Sequence, residues 1–409
     1  MEILSAEWVV PVTTPVISDG SIVIENGRII EIGKRPDILL KFHGTEESKY
    51  NSVLMPGLVN GHMHLELSHI CDIAPMSPES TFTDWISELL TRRQNETPDR
   101  SHVIDAFSAA LRDQFVSGVA LVADIGNTVF PELYEQKGEG WPEVIRMVEC
   151  LAPNRQALQV AKKNIAGMPD RYPVCVHAAY STSPDLFVSA KQRCRQLDHI
   201  FSVHTAESAA ELEFLRFGTG CFRDFLESRK SWDGTFAFAE QGYVGTIFYF
   251  DHLGILDKNT LLVHAVHVSE RELALVAERG AYICLCPGSN RFLHVGRAPV
   301  EQMLAAGILP SLGTDSLASN ESINLWREMQ LLAEDHPQVT YELILAMATL
   351  GGAQALHRDE DFGSLVPGKR SQILHVSSPA LSCCRDKSRV IQELVTGGQP
   401  SEIAWASTH

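Results

Sequence analysis

TLLVHAVHVSERELALVAERGAYICLC, residues 260–286, contains a strand, a helix and a second strand with little between them. The apolar run TLLVHAV gives way at Ser269 to Ser-Glu-Arg-Glu272, a capping box that satisfies backbone amides at the start of a helix. Gly280 closes that helix, because a residue without a Cβ adopts the left-handed conformation cheaply. AYICLC (281–286) is again apolar and strand-like. The same alternation extends in both directions. FSVHTAE (201–207) leads into the helical run AAELEFLRFG, and PVCVHAAYS (173–181) precedes Ser183-Pro184, which opens a helix to about Leu197. VALVADIG (119–126) follows a helical run ending at Gly118, and ILPSLGTD (308–315) follows a helix opened by Pro299 and closed by Gly307. Strands alternating with helices predict an α/β fold with parallel strands and helical crossovers, and the length favours a closed (β/α)8 TIM barrel. An open doubly wound sheet is the rival, but the chain has no GxGxxG or phosphate-loop pattern.

The ends read differently. Residues 17–32, ISDGSIVIENGRIIEI, alternate apolar and polar around Asp19-Gly20 and Asn26-Gly27, both hairpin signals. Residues 363–376 read as strand, turn, strand. The expected organisation is a small sheet domain from residues 1–55 and 360–409 flanking a barrel of residues 56–359. A net charge of −17 repels phosphate backbones and anionic membranes, so neither nucleic acid nor a membrane is an expected partner. No apolar run is long enough to span a bilayer, and the first residues lack the pattern of a secretory signal. The nine cysteines form no repeated metal spacing; Cys284 and Cys286 read as buried thiols in an apolar strand. An odd cysteine count without a framework fits a reducing cytoplasm.

PGLVNGHMHLELS (56–68) places His62 and His64 two apart on a strand, so both imidazoles face one way. His204, His264 and Asp315 each stand at or near the C-terminal end of another predicted strand, the barrel face where catalytic groups gather. Each alone also reads as a core histidine or a turn aspartate; their joint placement points to a metal site. Glu207, three residues after His204, reads as a general acid/base, or else as a carboxylate at a helix start. His177 ends a strand and is a candidate substrate-binding residue, or else a structural histidine. The aromatic-rich stretch 218–250 is expected to wall a pocket or to pack its own small core.

PGLVNGHMH, VHTAE, LLVHAVHV, CPGSN and LGTDSLASN, in this order, resemble the amidohydrolase superfamily over essentially the whole chain, in its cytosine deaminase, chlorohydrolase and adenosine-type deaminase branch. The resemblance implies a barrel with a small β-sandwich from both termini. It also implies one divalent metal, Zn2+ or Fe2+, held by His62, His64, His204 and Asp315. Glu207, His264 and Asp315 would be catalytic, exchanging the amine of an adenine-like nucleoside for oxygen. HLELS (64–68) and FTDWISELL (82–90) resemble the aminodeoxyfutalosine deaminase group of menaquinone biosynthesis; methylthioadenosine and adenosylhomocysteine deaminases are near relatives. A small-molecule substrate and a homo-oligomer are further implications. Two positions depart from the pattern: Ala179 stands in HAAYS where HAPYS is common, and Gly288 stands where arginine is frequent. Alternatives on the same scaffold are a hydrolytic dechlorinase, a binuclear ring hydrolase and a metal-free scaffold barrel. The binuclear reading needs a bridging lysine that YPVCVHAAYS lacks.

Overall fold

Several short strands in the middle of the chain are buried at every position, as strands covered on both faces must be. A computed structural model describes residues 1–77, 79–95, 100–129, 140–234 and 242–408. Its strands are β1 (Glu2–Val9), β2 (Ile17–Glu25), β3 (Arg28–Lys34), β4 (Glu47–Pro56), β5 (Leu58–Met63), β6 (Val119–Gly126) and β7 (Glu143–Cys150). They continue with β8 (Val174–Val176), β9 (Phe201–Thr205), β10 (Thr260–His264), β11 (Tyr282–Leu285), β12 (Ser311–Leu312), β13 (Gln372–Val376) and β14 (Ile403–Thr408).

β5 to β8 form one parallel four-stranded sheet in chain order, and β9 to β12 form another. The two sheets are joined at both seams by sparse bonds rather than by full ladders. His204 N–H donates to His177 O at 2.8 Å on one side. On the other, Met63 bridges Asp315, and the amides of Thr314 and Asp315 donate to His62 O at 3.0 and 3.1 Å. Helices cross between strands as read, with Pro184–Leu197, Ala209–Phe217 and Glu270–Arg279 among them. Ser269 and Glu272 make the reciprocal capping box, and Gly280 (φ 68°) ends that helix in the left-handed region.

The terminal segments make one six-stranded sheet, ordered β14-β13-β4-β1-β2-β3. It is mixed, because β1 and β4 run parallel while the other pairs are antiparallel. Asn26-Gly27 is the hairpin turn, but Asp19-Gly20 lies inside β2. The glycine there answers packing, since a Cβ on Gly20 would come within 2.7 Å of Val9. Residues 363–371 are loop, and only 372–376 extend as a strand. β4 runs through Gly57 straight into β5, and a Cβ on Gly57 would meet Ala120 at 2.7 Å and the Trp405 ring at 3.0 Å. No helix among the described residues is long and apolar enough to cross a membrane.

Candidate active site

His62 lies in β5 and His64 just beyond it; His204 lies in β9, His264 ends β10, and Asp315 follows β12. Ala206, His264, Ala265 and Asp315 take positive φ of 47°, 71°, 48° and 57°. Non-glycine residues in that region cost about 1–3 kcal/mol each and are found where surrounding structure enforces them, often at functional sites. The turns carry the side chains off the strand ends towards one another.

His62, His64, His204 and Asp315 each bring one nitrogen or oxygen into a group whose atoms lie within 4.8 Å of one another. His64 Nε2 is 3.4 Å from His204 Nε2, and Asp315 Oδ1 is 3.6 Å from His62 Nε2 and 3.5 Å from His64 Nε2. Both nitrogens of the fully buried His62 lack a hydrogen-bond partner. Burial, with the neighbouring His62 imidazole, drives the His64 pKa down to about 3, and burial with His177 and His62 drives His204 well below the usual histidine range. Neutral imidazoles are the form that coordinates a metal. Burial opposes ionisation of Asp315, but the facing His62, His64 and His264 outweigh it and hold its carboxyl well below the carboxylate range. An orphaned imidazole, neutral histidines and an ionised carboxylate fit a divalent cation.

Supporting contacts fix these groups. His204 Nδ1 is 3.1 Å from His177 O, and His264 Nδ1 is 3.1 Å from Asn290 Oδ1. The hydroxyls of Ser289 and Ser319 both donate to Asp315 Oδ2 at 2.7 Å. Glu207 is buried, with Oε1 3.4 Å from His264 Nε2. Burial, then the charges of Asp315 and Glu211, push its pKa well above the carboxylate range. His177 is half-buried, borders the cavity and pairs through Nδ1 with Ser181 Oγ at 2.7 Å.

A cavity of about 310 Å³ opens over this cluster. The helix Phe82–Asn95 turns one face onto it, with Phe82, Trp85, Ile86, Leu89, Leu90 and Arg93 at helical spacing. From the stretch 218–250, Phe225, Leu226, Arg229 and Ser231 border the cavity, while Phe222, Tyr249 and Phe250 are core. Phe236 and Phe238 lie outside the described residues. A wider depression of about 680 Å³ at Met1, Glu25, Arg28 and Arg370 holds none of this chemistry.

Gly288 has no room for the side chain it departs from. A Cβ there would come 2.6 Å from Asn320 and from Glu328, and its N–H donates to Glu328 Oε2 at 2.7 Å. Sequence reasoning passed over Ser289, Asn290 and Ser319, which read as turn residues within motifs it quoted. It also passed over Glu149, Asp124 and Arg146, for which no spacing gave a signal. Cys284 and Cys286 are buried free thiols, as expected.

A parallel α/β scaffold with four imidazoles and two carboxyl groups gathered at strand ends is built as an enzyme. The description "Amidohydrolase family" matches residues 53–398, and the chain belongs to that family, as a hydrolase acting on carbon–nitrogen bonds. It is similar to a 5-methylthioadenosine/S-adenosylhomocysteine deaminase of Nitratidesulfovibrio vulgaris, 30% identical over 373 residues covering 84% of this chain and 75% of the relative. Its fold is like that of Helicobacter pylori aminofutalosine deaminase in complex with methylthio-coformycin, with TM-score 0.82, 24% identity and coverage of 99% and 100% of the two chains. It is also like a Xanthomonas campestris adenosine deaminase with bound zinc, with TM-score 0.79, 21% identity and coverage of 98% and 90%.

Proposed function

We propose that this chain is a mononuclear metal-dependent deaminase of an adenine-type nucleoside, with aminodeoxyfutalosine as the substrate to test first. The two parallel sheets are read as halves of one (β/α)8 barrel over residues 56–359, and the terminal sheet as the small β-sandwich domain of residues 1–55 and 360–409. The carrying observation is that buried Glu207, 3.4 Å from His264, stands with it against the His62–His64–His204–Asp315 cluster.

A divalent metal, zinc in this reading, would be held by those four residues and supplies the Lewis acidity that makes water nucleophilic near neutral pH. Glu207 gives a proton to the ring nitrogen next to the amine-bearing carbon, which makes that carbon electrophilic. Asp315, fixed by Ser289 and Ser319, takes a proton from the attacking water and returns it to the departing ammonia. His264, oriented by Asn290, stabilises charge on the added oxygen. The remaining proton on the added oxygen returns to Glu207 as ammonia leaves, so water is consumed and an adenine-like ring becomes hypoxanthine-like. His177 borders the cavity and orients the substrate. The cytoplasm is the compartment that goes with this reading, and nine free cysteines suit a reducing one.

The apolar face of Phe82–Asn95 suits the extension of a nucleoside beyond its sugar. Arg229 borders the cavity with its guanidinium 4.9 Å from the Phe225 ring centre. A cation there favours a substrate whose extension ends in a carboxylate, such as aminodeoxyfutalosine, over the uncharged methylthioadenosine. The methylthioadenosine/adenosylhomocysteine reading stands second, on the curated relative. An ammonia-release assay with aminodeoxyfutalosine, methylthioadenosine, adenosylhomocysteine, adenosine, guanine and cytosine, with metal content measured on the same protein, decides between them. The expected result is one metal per chain and the highest kcat/KM on aminodeoxyfutalosine; activity confined to free bases would reject the reading.

A further inference from the structure

The wall of the cavity beside His204 carries a polar network with one acceptor left over. Glu149, the penultimate residue of β7, is buried, and its Oε2 accepts from Asn127 Nδ2 at 3.3 Å. The same amide donates to Glu149 O at 3.1 Å, while Asn127 Oδ1 accepts from Arg93 at 3.3 Å. Arg93 and Arg146 are both engaged by Glu66, at 3.3 and 3.2 Å, and Arg146 also pairs with Asp124 at 2.9 Å. Glu149 Oε1 is buried and has no hydrogen-bond partner. The nitrogen that faces it, His204 Nδ1 at 3.8 Å, is within hydrogen-bond distance of His177 O instead.

A buried polar atom without a partner costs folding free energy, and beside a cavity a ligand is one group that can complete it. Glu149 and Asn127 both border the cavity. Oε1 faces the Nδ1 edge of the His204 ring, whereas Nε2 is the nitrogen turned to the proposed metal. We propose that Glu149 is a specificity-determining residue whose buried carboxyl hydrogen-bonds a sugar hydroxyl of the substrate, so that the site selects ribonucleosides over free bases. This rests on the deaminase reading above. The competing occupant is a second cation, for which Glu149, His177 and His204 offer atoms within 4.8 Å of one another. The bonds of His204 Nδ1 to His177 O and of His177 Nδ1 to Ser181 weigh against it.

The test compares adenosine with 2′,3′-dideoxyadenosine in the metal-loaded wild type and in Glu149→Gln and Glu149→Ala. One hydrogen bond to a buried carboxyl predicts that wild type prefers adenosine by about 10- to 100-fold in kcat/KM, mainly through KM. In Glu149→Ala that preference should collapse to within a few-fold, with Glu149→Gln between, and each variant should keep one metal per chain. A preference that survives in Glu149→Ala, a wild type indifferent to the hydroxyls, or metal content falling from two to one in the variants would each overturn the proposal. Titration calorimetry with the same two nucleosides reads the contact without turnover. Ribo-selective binding lost in Glu149→Ala without ammonia release would sink the deaminase reading and leave hydroxyl recognition standing.

Discussion

Glu207 and Asp315 are both buried carboxyls beside the same histidines, yet their surroundings push them opposite ways. Burial and the charge of Asp315 raise the Glu207 pKa, whereas the close imidazoles outweigh burial and lower that of Asp315. That division predicts different losses on amidation. Glu207→Gln should retain its metal and lose roughly 10²–10⁴-fold in turnover, the usual worth of a positioned acid. Asp315→Asn should lose turnover and metal together, and elemental analysis beside the ammonia assay separates the two; a Glu207→Gln enzyme within a few-fold of wild type would leave Glu207 as a helix-terminus carboxylate. Glu328 offers a pH test away from the cluster. It is fully buried, accepts from Gly288 N and Asn320, and burial raises its pKa to about 8. The unfolded chain releases this proton near the ordinary glutamate pKa of about 4.3 while the folded chain keeps it to about 8, so stability from this residue is full below that window and declines through it. Urea unfolding of Glu328→Gln should therefore shift in the variant's favour as pH rises from about 5 to about 8.5. A difference independent of pH would mean that Glu328 is ionised in the fold.

At the level of elements, the readable parts of the chain were those whose cause is local. The helix Glu270–Arg279 has its start and stop written in Ser269, Glu272 and Gly280, within reach of one another along the chain. His62, His64, His204, His264 and Asp315 were legible because each ends an apolar run, and a strand end is a place in a parallel fold. Their supports were not legible. Asn290 meets His264 across 26 positions and Asn127 meets Glu149 across 22, and such pairs depend on how strands are laid side by side. The 363–371 segment misled because it meets the β2–β3 hairpin only through the Arg28–Arg370 bridge and a few backbone bonds to Gly27 and Ile29, too few to extend it as a strand. One long-range tie revises a local expectation. Glu272 closes its capping box through Oε2, and its Oε1 accepts from Ile247 N at 3.1 Å, in the first turn of the helix Thr246–His252. Ser269→Ala should cost about 1 kcal/mol, a typical cap. Glu272→Ala should cost more, about 2–3 kcal/mol, because it also strands a buried amide of another helix. Urea midpoints compare the two, and equal losses would mean that the Ile247 contact contributes nothing.

Across the whole molecule, the proposed ligands would do more than hold a catalytic ion. His62 and His64 come from the β5–β8 sheet, whereas His204 and Asp315 come from the β9–β12 sheet. The seams between those sheets are short, one closed by the Met63–Asp315 bridge and the amides over His62 O, the other by the His204–His177 bond. A cation bound to all four side chains would add a cross-link where the backbone ladders are sparsest. Because an ion that binds only the folded chain stabilises it by RT ln(1 + [L]/Kd), a free concentration about 1,000 times Kd is worth about 4 kcal/mol. Removing the metal with a chelator and dialysing the chelator away should therefore lower the urea midpoint of wild type, and adding back zinc should restore it. His204→Ala breaks the ligand set on one sheet only, so its midpoint should already be low and should respond weakly to either treatment. The orphaned nitrogens of His62 sharpen the contrast, since without a metal they remain buried and unpaired in both proteins. If wild type unfolds at the same midpoint with and without metal while ammonia release is lost, the ion serves chemistry alone and the seams hold by backbone bonds and packing.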